Sequence, residues 1–167
     1  DIGLDKNAYL FLDDLLSNKF LKEANIKKKD VTSISKVLKI GDELLVQIVR
    51  GPMGEKNISV TTDISLSGKF IAFIPNSRDV NLSRRITNPD ERKRLEEIGR
   101  NVLTNGNGMI IRTFAKGCSK EAIEKEYKML SNVYKQIERE YKYSYAPKLL
   151  YKSNSLIERL FLDYIDS

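Results

Sequence analysis

The feature that most constrains this chain is a stripe of six apolar side chains, Ile123, Tyr127, Leu130, Tyr134, Ile137 and Tyr141, spaced alternately four and three residues apart. That spacing lays them along one face of a single helix of about five turns. Such a face must be covered by another layer. Three of the six are tyrosines, too bulky for a regular seam between two helices, so the stripe predicts packing onto a core instead of a coiled-coil dimer. Gly117 and Ser119 supply the lead-in, and Ala146-Pro147 the stop.

The covering layer has to come from upstream. Residues 43–50 are dense in β-forming apolar side chains between Gly41-Asp42 and Gly51-Pro52, and they predict a strand with residues 57–63 as its hairpin partner. Residues 69–75 predict another strand, preceded by Gly68 and ended by Pro75 and Asn76. Thr87-Asn-Pro-Asp-Glu91 has the order of a helix start, with Asn88 as cap, Pro89 in the first turn and Glu91 three residues after the cap. Leu95, Ile98 and Val102 mark that helix's inner face. After a break at 105–108, residues 109–113 predict a short buried strand, residues 148–151 a further one, and residues 155–165 a final amphipathic helix. Strands dominate the first part and helices the second. The change near residues 63–68 predicts an α+β chain of two lobes.

With 167 residues and 41% hydrophobic content, the chain can bury one ordinary core or two small ones. No apolar run approaches the roughly 20 residues a membrane span needs. The start carries neither an initiator Met nor a signal pattern, so the chain reads as trimmed from a longer, cytoplasmic protein. One cysteine, Cys118, rules out an internal disulfide and a thiolate zinc site. The absence of histidine removes His-based triads and the usual general base near neutral pH. A net charge of +6 attracts phosphate backbones, although many unrelated proteins carry as much.

No carboxylate spacing stands out as a magnesium or acid/base pair. Asp13 and Asp14 point to different faces of any regular element, and they suit a turn or helix start before Leu15-Leu16. Cys118 beside Lys116 and Lys120 suits a turn better than a nucleophile's role. The basic residues Arg84, Arg85, Arg112 and Lys56 say more, because each flanks a strand or turn. Arg112-Thr113 at a strand end would offer one phosphate a planar fork and a neutral donor. A salt bridge from Arg112 to a helix glutamate accounts for the same spacing equally well. Tyr9 suits a stacking surface with lysines such as Lys56, but a core tyrosine is the stronger expectation. Lys27-Lys-Lys29 reads as a solvated loop.

In order along the chain stand Asp1-Ile-Gly-Leu-Asp-Lys6, the run from Val37 through Gly41-Asp-Glu-Leu-Leu-Val-Gln-Ile-Val49, Gly54-Glu-Lys56, Thr61-Thr-Asp-Ile-Ser-Leu66, Ser83-Arg-Arg-Ile86 and Ile110-Ile-Arg-Thr113. This succession resembles the ribonuclease E/G family over nearly the whole chain, and its first run is worded more like the G branch. The resemblance implies a partial OB-type β-barrel of the ribosomal protein S-one kind over residues 1–62. It further implies a mixed α/β 5′-sensor domain over 63–152 and the start of a return to an RNase H-like domain over 153–167. Carried over by position, Arg112 and Thr113 match the pair that grips a 5′-terminal monophosphate, with the backbone around Gly68 and Ala72 shaping the pocket. Arg84 and Arg85 match a nearby basic pair, and Tyr9 and Lys56 match RNA-contacting barrel positions.

The same resemblance places the family's magnesium-binding aspartates and zinc-linking cysteines in a later domain. It implies no cofactor for this stretch and magnesium for the full-length enzyme, which is expected to be a homo-oligomer. The stretch itself is expected to hold single-stranded RNA with a 5′ monophosphate and not to cleave it. Two readings of other classes compete: a free-standing OB-fold RNA-binding accessory factor, and a structural domain that dimerises through the long helix.

Overall fold

The computed structural model describes residues 1–16, 27, 31–50, 58–103 and 106–152. They form a mixed α/β arrangement of two sheets. In the first sheet β1 (Tyr9–Leu10) runs parallel to β3 (Ser59–Thr61), and β2 (Gln47–Arg50) pairs antiparallel on the other side of β3. A register shift between Ile48 and Arg50 bends the β2 edge. The short helix α1 (Leu12–Leu15) follows β1 and buries Leu15 and Leu16 in a small cluster with Val31. Among the described residues this three-stranded sheet does not close into a barrel.

The second sheet has the order β4-β5-β7-β6, built from β4 (Leu66–Ser67), β5 (Ile71–Ile74), β6 (Val80–Leu82) and β7 (Gly108–Ile111). β6 and β7 are parallel neighbours, so a crossover must join them, and helix α2 (Pro89–Val102) supplies it. The long helix α3 (Lys120–Lys142) lies against β5 and α2. Its stripe buries Ile123, Tyr127, Leu130, Tyr134 and Ile137 over the sheet, and Phe73 meets Tyr127 and Tyr134 at ring centroid distances of 5.3 and 6.0 Å. Tyr141, the last of the series, is instead 38% exposed and reaches the Glu43 carbonyl with its hydroxyl at 3.4 Å.

Both predicted helix starts are present. The Asn88 side chain accepts from Glu91 N–H at 2.9 Å, and Ser119 Oγ accepts from Ala122 N–H at 3.3 Å. Helix α2 sits close to the sheet because Gly99 lacks a side chain: a Cβ there would lie 2.6 Å from Val80 Cγ1 and 3.2 Å from Ile111 Cδ1.

Several expected strands are shorter than their apolar runs. Residues 43–46 are not in β2, because Leu44 turns into the first core cluster and Leu45 into the second. The strand expected over 57–63 is β3 alone, since Thr62 N–H leaves the ladder for the Asp14 carbonyl at 2.8 Å. β5 starts at Ile71 instead of Lys69 for a reason that belongs to the site below. β7 ends at Ile111, and Arg112 caps a single 3-10 turn, Thr113–Ala115. Its burial is incomplete, with Ile110 38% exposed. Residues 148–151 form no strand; Lys148 and Leu149 are exposed beyond the end of α3. The helix expected over 155–165 lies outside the described residues.

Candidate functional site

The ends of β5, β6 and β7 bring most of the singled-out residues to one edge of the second sheet. Ile71 pairs with Ile111, and Leu82 pairs with Ile111 from the other side. The next residue along β7 is therefore flanked by the β4–β5 turn and by the segment that follows β6. That residue is Arg112. Its backbone N–H donates to the Phe70 carbonyl at 2.7 Å, and its guanidinium Nη1 donates to the Gly68 carbonyl. Among the described residues no carboxylate pairs with Arg112, so no salt bridge to a glutamate of α2 or α3 is formed. Arg112 is half-buried, and among the described residues no other group takes its remaining guanidinium donors.

The β4–β5 turn has an unusual division of hydrogen bonds. A four-residue turn commonly closes with the last N–H on the first carbonyl, which here would be Ile71 N–H to the Gly68 carbonyl. Instead Ile71 N–H donates to Glu126 Oε2 at 2.8 Å, together with Phe70 N–H at 2.8 Å, while Lys69 N–H donates to Glu126 Oε1 at 2.6 Å. The Gly68 carbonyl, left over, accepts from Arg112. This is why β5 begins late: the amides of Lys69 and Phe70 turn to helix α3 and not to a neighbouring strand. Glycine at 68 lets the Glu126 carboxylate come in close, as a Cβ there would fall 2.4 Å from Glu126 Cδ.

Thr113 faces the other flank. Its hydroxyl lies 3.2 Å from Ser83 Oγ, and Ser83 N–H donates to the Ile111 carbonyl at 2.8 Å. Arg84 and Arg85, both exposed, follow at the rim. The loop that carries them is held from helix α2, where Arg92 Nη1 donates to the carbonyls of Ser83 at 3.2 Å and Ile86 at 2.8 Å. The turn after Thr113 is held similarly. Glu91 accepts Gly117 N–H at 2.9 Å and both Arg94 Nε and Nη2 at 2.7 Å, and Arg94 Nη1 reaches the Cys118 carbonyl at 3.0 Å. The Arg94 fork and the Gly117 amide hold the Glu91 carboxyl down to about 2. Cys118 sits in this turn with its thiol on the Phe114 carbonyl at 3.4 Å.

Gly68, Arg112, Thr113, Arg84 and Arg85 thus gather at one edge. Ala72 lies farther along β5, paired with Ser67 and Ile110. Tyr9 is in the other sheet. It is 57% exposed and stacks on Phe11, also 57% exposed, with ring centroids 5.8 Å apart, so the expectation of a core tyrosine is wrong. A strand as short as β1, at the sheet's edge, leaves both rings outside the core. Lys56 lies outside the described residues. Sequence reasoning missed Ser83, Arg92 and Glu126. The first is contained in the run that carries Arg84-Arg85, whereas nothing in the spacing of Glu126 distinguishes it from its solvated neighbours Glu121 and Glu124.

Among the described residues no group of three His, Cys, Asp or Glu side chains is placed to hold a metal ion, and no helix is long and apolar enough to cross a membrane.

Residues 65–167 match the Ribonuclease E/G family. Over 99% of its length the chain is 34% identical to Ribonuclease G of Haemophilus influenzae, and over its whole length 31% identical to Ribonuclease G of Escherichia coli K12. It is also 31% identical to Ribonuclease E of Nostoc sp. PCC 7120, with 96% of the chain covered. The chain spans 34% of the length of the two Ribonuclease G relatives and 24% of that of Ribonuclease E. A match this continuous, running through both sheets and the edge where Arg112 and Thr113 meet the β4–β5 turn, makes the chain a member of the ribonuclease E/G family.

Proposed function

We propose that this chain is the RNA-binding and 5′-end-sensing part of a single-strand-specific endoribonuclease that acts in RNA processing and decay. In this proposal the first sheet belongs to an OB-type RNA-binding unit ending near residue 62, and the second sheet with α2 and α3 is the 5′ sensor. Two separate core clusters support that division. Hydrolysis and magnesium then belong to the remainder of the full-length enzyme, a cytoplasmic homo-oligomer.

The observation that carries the proposal is the state of Arg112. Its guanidinium is oriented by a backbone carbonyl and spends no donor on a described carboxylate, and the Thr113 and Ser83 hydroxyls stand on the adjacent flank. A terminal phosphate docked at this edge would meet a charged fork and neutral hydroxyl donors, the combination that favours a dianionic group over a neutral end. Arg84 and Arg85 at the rim add attraction for the following phosphates, and the exposed Tyr9–Phe11 pair provides a face for bases.

The test is a fluorescence-polarisation titration of one short single-stranded RNA with a 5′ monophosphate or a 5′ hydroxyl, at fixed salt, against wild type and Arg112→Ala. Tighter binding of the monophosphate form by wild type alone supports the sensor. Equal binding of the two forms by folded wild type refutes it.

A further inference from the structure

The split hydrogen bonding of the β4–β5 turn gives Glu126 a task beyond tying helix α3 to the sheet. We infer that Glu126 is a positioning residue for phosphate recognition: by taking the Ile71 amide, it frees the Gly68 carbonyl to orient the Arg112 guanidinium. The inference rests on the 5′-sensing proposal above.

The turn has one carbonyl and one amide that would ordinarily satisfy each other. Each is taken by a side chain of opposite charge, Glu126 on the amide and Arg112 on the carbonyl. No hydrogen bond is formed between the two side chains; each takes one half of the bond that would otherwise close the turn. Without a carboxylate at position 126, Ile71 N–H would be left without its acceptor, and the nearest remedy is the Gly68 carbonyl. A carbonyl engaged by Ile71 is a weaker and differently directed anchor for Arg112. Glu126 also accepts the Lys69 and Phe70 amides, so its loss would release three donors together and let Ile71 N–H complete the pair that Gly68 N–H already half makes by donating to the Ile71 carbonyl at 2.8 Å.

A glutamine is a poor replacement. Its carbonyl can accept from one side of the turn, but its NH2 group would face the remaining amides donor to donor. Glu124, on the same helix, is a suitable control, since it pairs with Lys128 at 2.5 Å and has no part in the turn.

The experiment measures the affinity ratio between 5′-monophosphate and 5′-hydroxyl forms of one single-stranded RNA for wild type, Glu126→Gln, Glu126→Ala and Glu124→Ala. The expected result is a ratio lowered about tenfold in both Glu126 variants, the scale of one hydrogen bond to a charged group, with 5′-hydroxyl affinity unchanged. Glu124→Ala should keep the wild-type ratio. Should both Glu126 variants fail to fold, Gly68→Ala takes their place. Its Cβ would collide with the carboxylate of Glu126 and displace that flexible group from the amides. A wild-type ratio in a folded Glu126 variant, or in Gly68→Ala if it is needed, overturns this inference and leaves the sensor intact. Equal losses for both RNA forms overturn it as well, by showing a general defect. A wild type that does not distinguish the two RNAs overturns the sensor and this inference together.

Discussion

The hydroxyls of Ser83 and Thr113 meet at 3.2 Å across 30 residues of chain, because the parallel pairing of β6 and β7 ends both strands at the same level. A phosphate oxygen approaching Arg112 would find the two as neighbours. Thr113→Val should therefore lower the preference for a 5′ monophosphate by about 3- to 10-fold, with a smaller loss for Ser83→Ala. The double variant should fall short of the product of the two by a coupling of about 0.5–1 kcal/mol. Strict additivity in a titration series would show that the two hydroxyls act separately.

Arg92 reaches out of helix α2 to two carbonyls of the 83–86 segment. Arg92→Met keeps the aliphatic stem and removes both bonds, which at a half-buried site should cost about 2 kcal/mol, or roughly 4–8 °C in melting temperature. Freed from that tether, Arg84 and Arg85 should still attract RNA but lose their fixed placement. General affinity should accordingly change little while the monophosphate preference declines.

The Glu91 carboxyl is lowered from 4.5 to about 2, first by the Arg94 hydrogen bond and then by the Gly117 amide. Its folded value lies below its unfolded one, so its contribution is fully present above about pH 4.5 and is lost as pH falls toward about 2. Glu91→Gln should thus melt lower than wild type at neutral pH, and the difference should shrink through that acid window. Because 40% of the Arg94 side chain is exposed, the effect should be small and weaken further in high salt.

Tyr9, in the edge strand β1, stacks on Phe11 just beyond its end, and both rings are largely exposed. Replacing both by Ala should weaken binding of 5′-hydroxyl and 5′-monophosphate RNA alike, by about 1–3 kcal/mol for each base that loses its stacking partner. A selective loss of the monophosphate form would contradict the separation of base stacking from end sensing.

What the sequence made legible follows from local chemistry. The Asn88 cap, the lead-in at Ser119 and all of the 123–141 stripe but Tyr141 are determined within a few turns of helix, and the structure has them where spacing places them. The tip of β7 was legible too, down to Arg112 standing at a strand end. The strand lengths were not, because long-range claims on backbone groups shorten them: Asp14 draws away Thr62, and Glu126 draws away Lys69 and Phe70. Glu126 lies 55 residues from Ile71, and no periodicity encodes a contact at that separation. Tyr9 was misplaced for a related reason, since composition cannot tell an edge strand from a central one.

Leu44 and Leu45 are consecutive, yet the first packs with Leu15, Leu16 and Val31 and the second with the cluster beneath α3. One peptide bond therefore works as a rivet between two hydrophobic interiors. Neither interior can dissolve without pulling a leucine out of its neighbour, which should merge their melting into one transition despite the small size of the first.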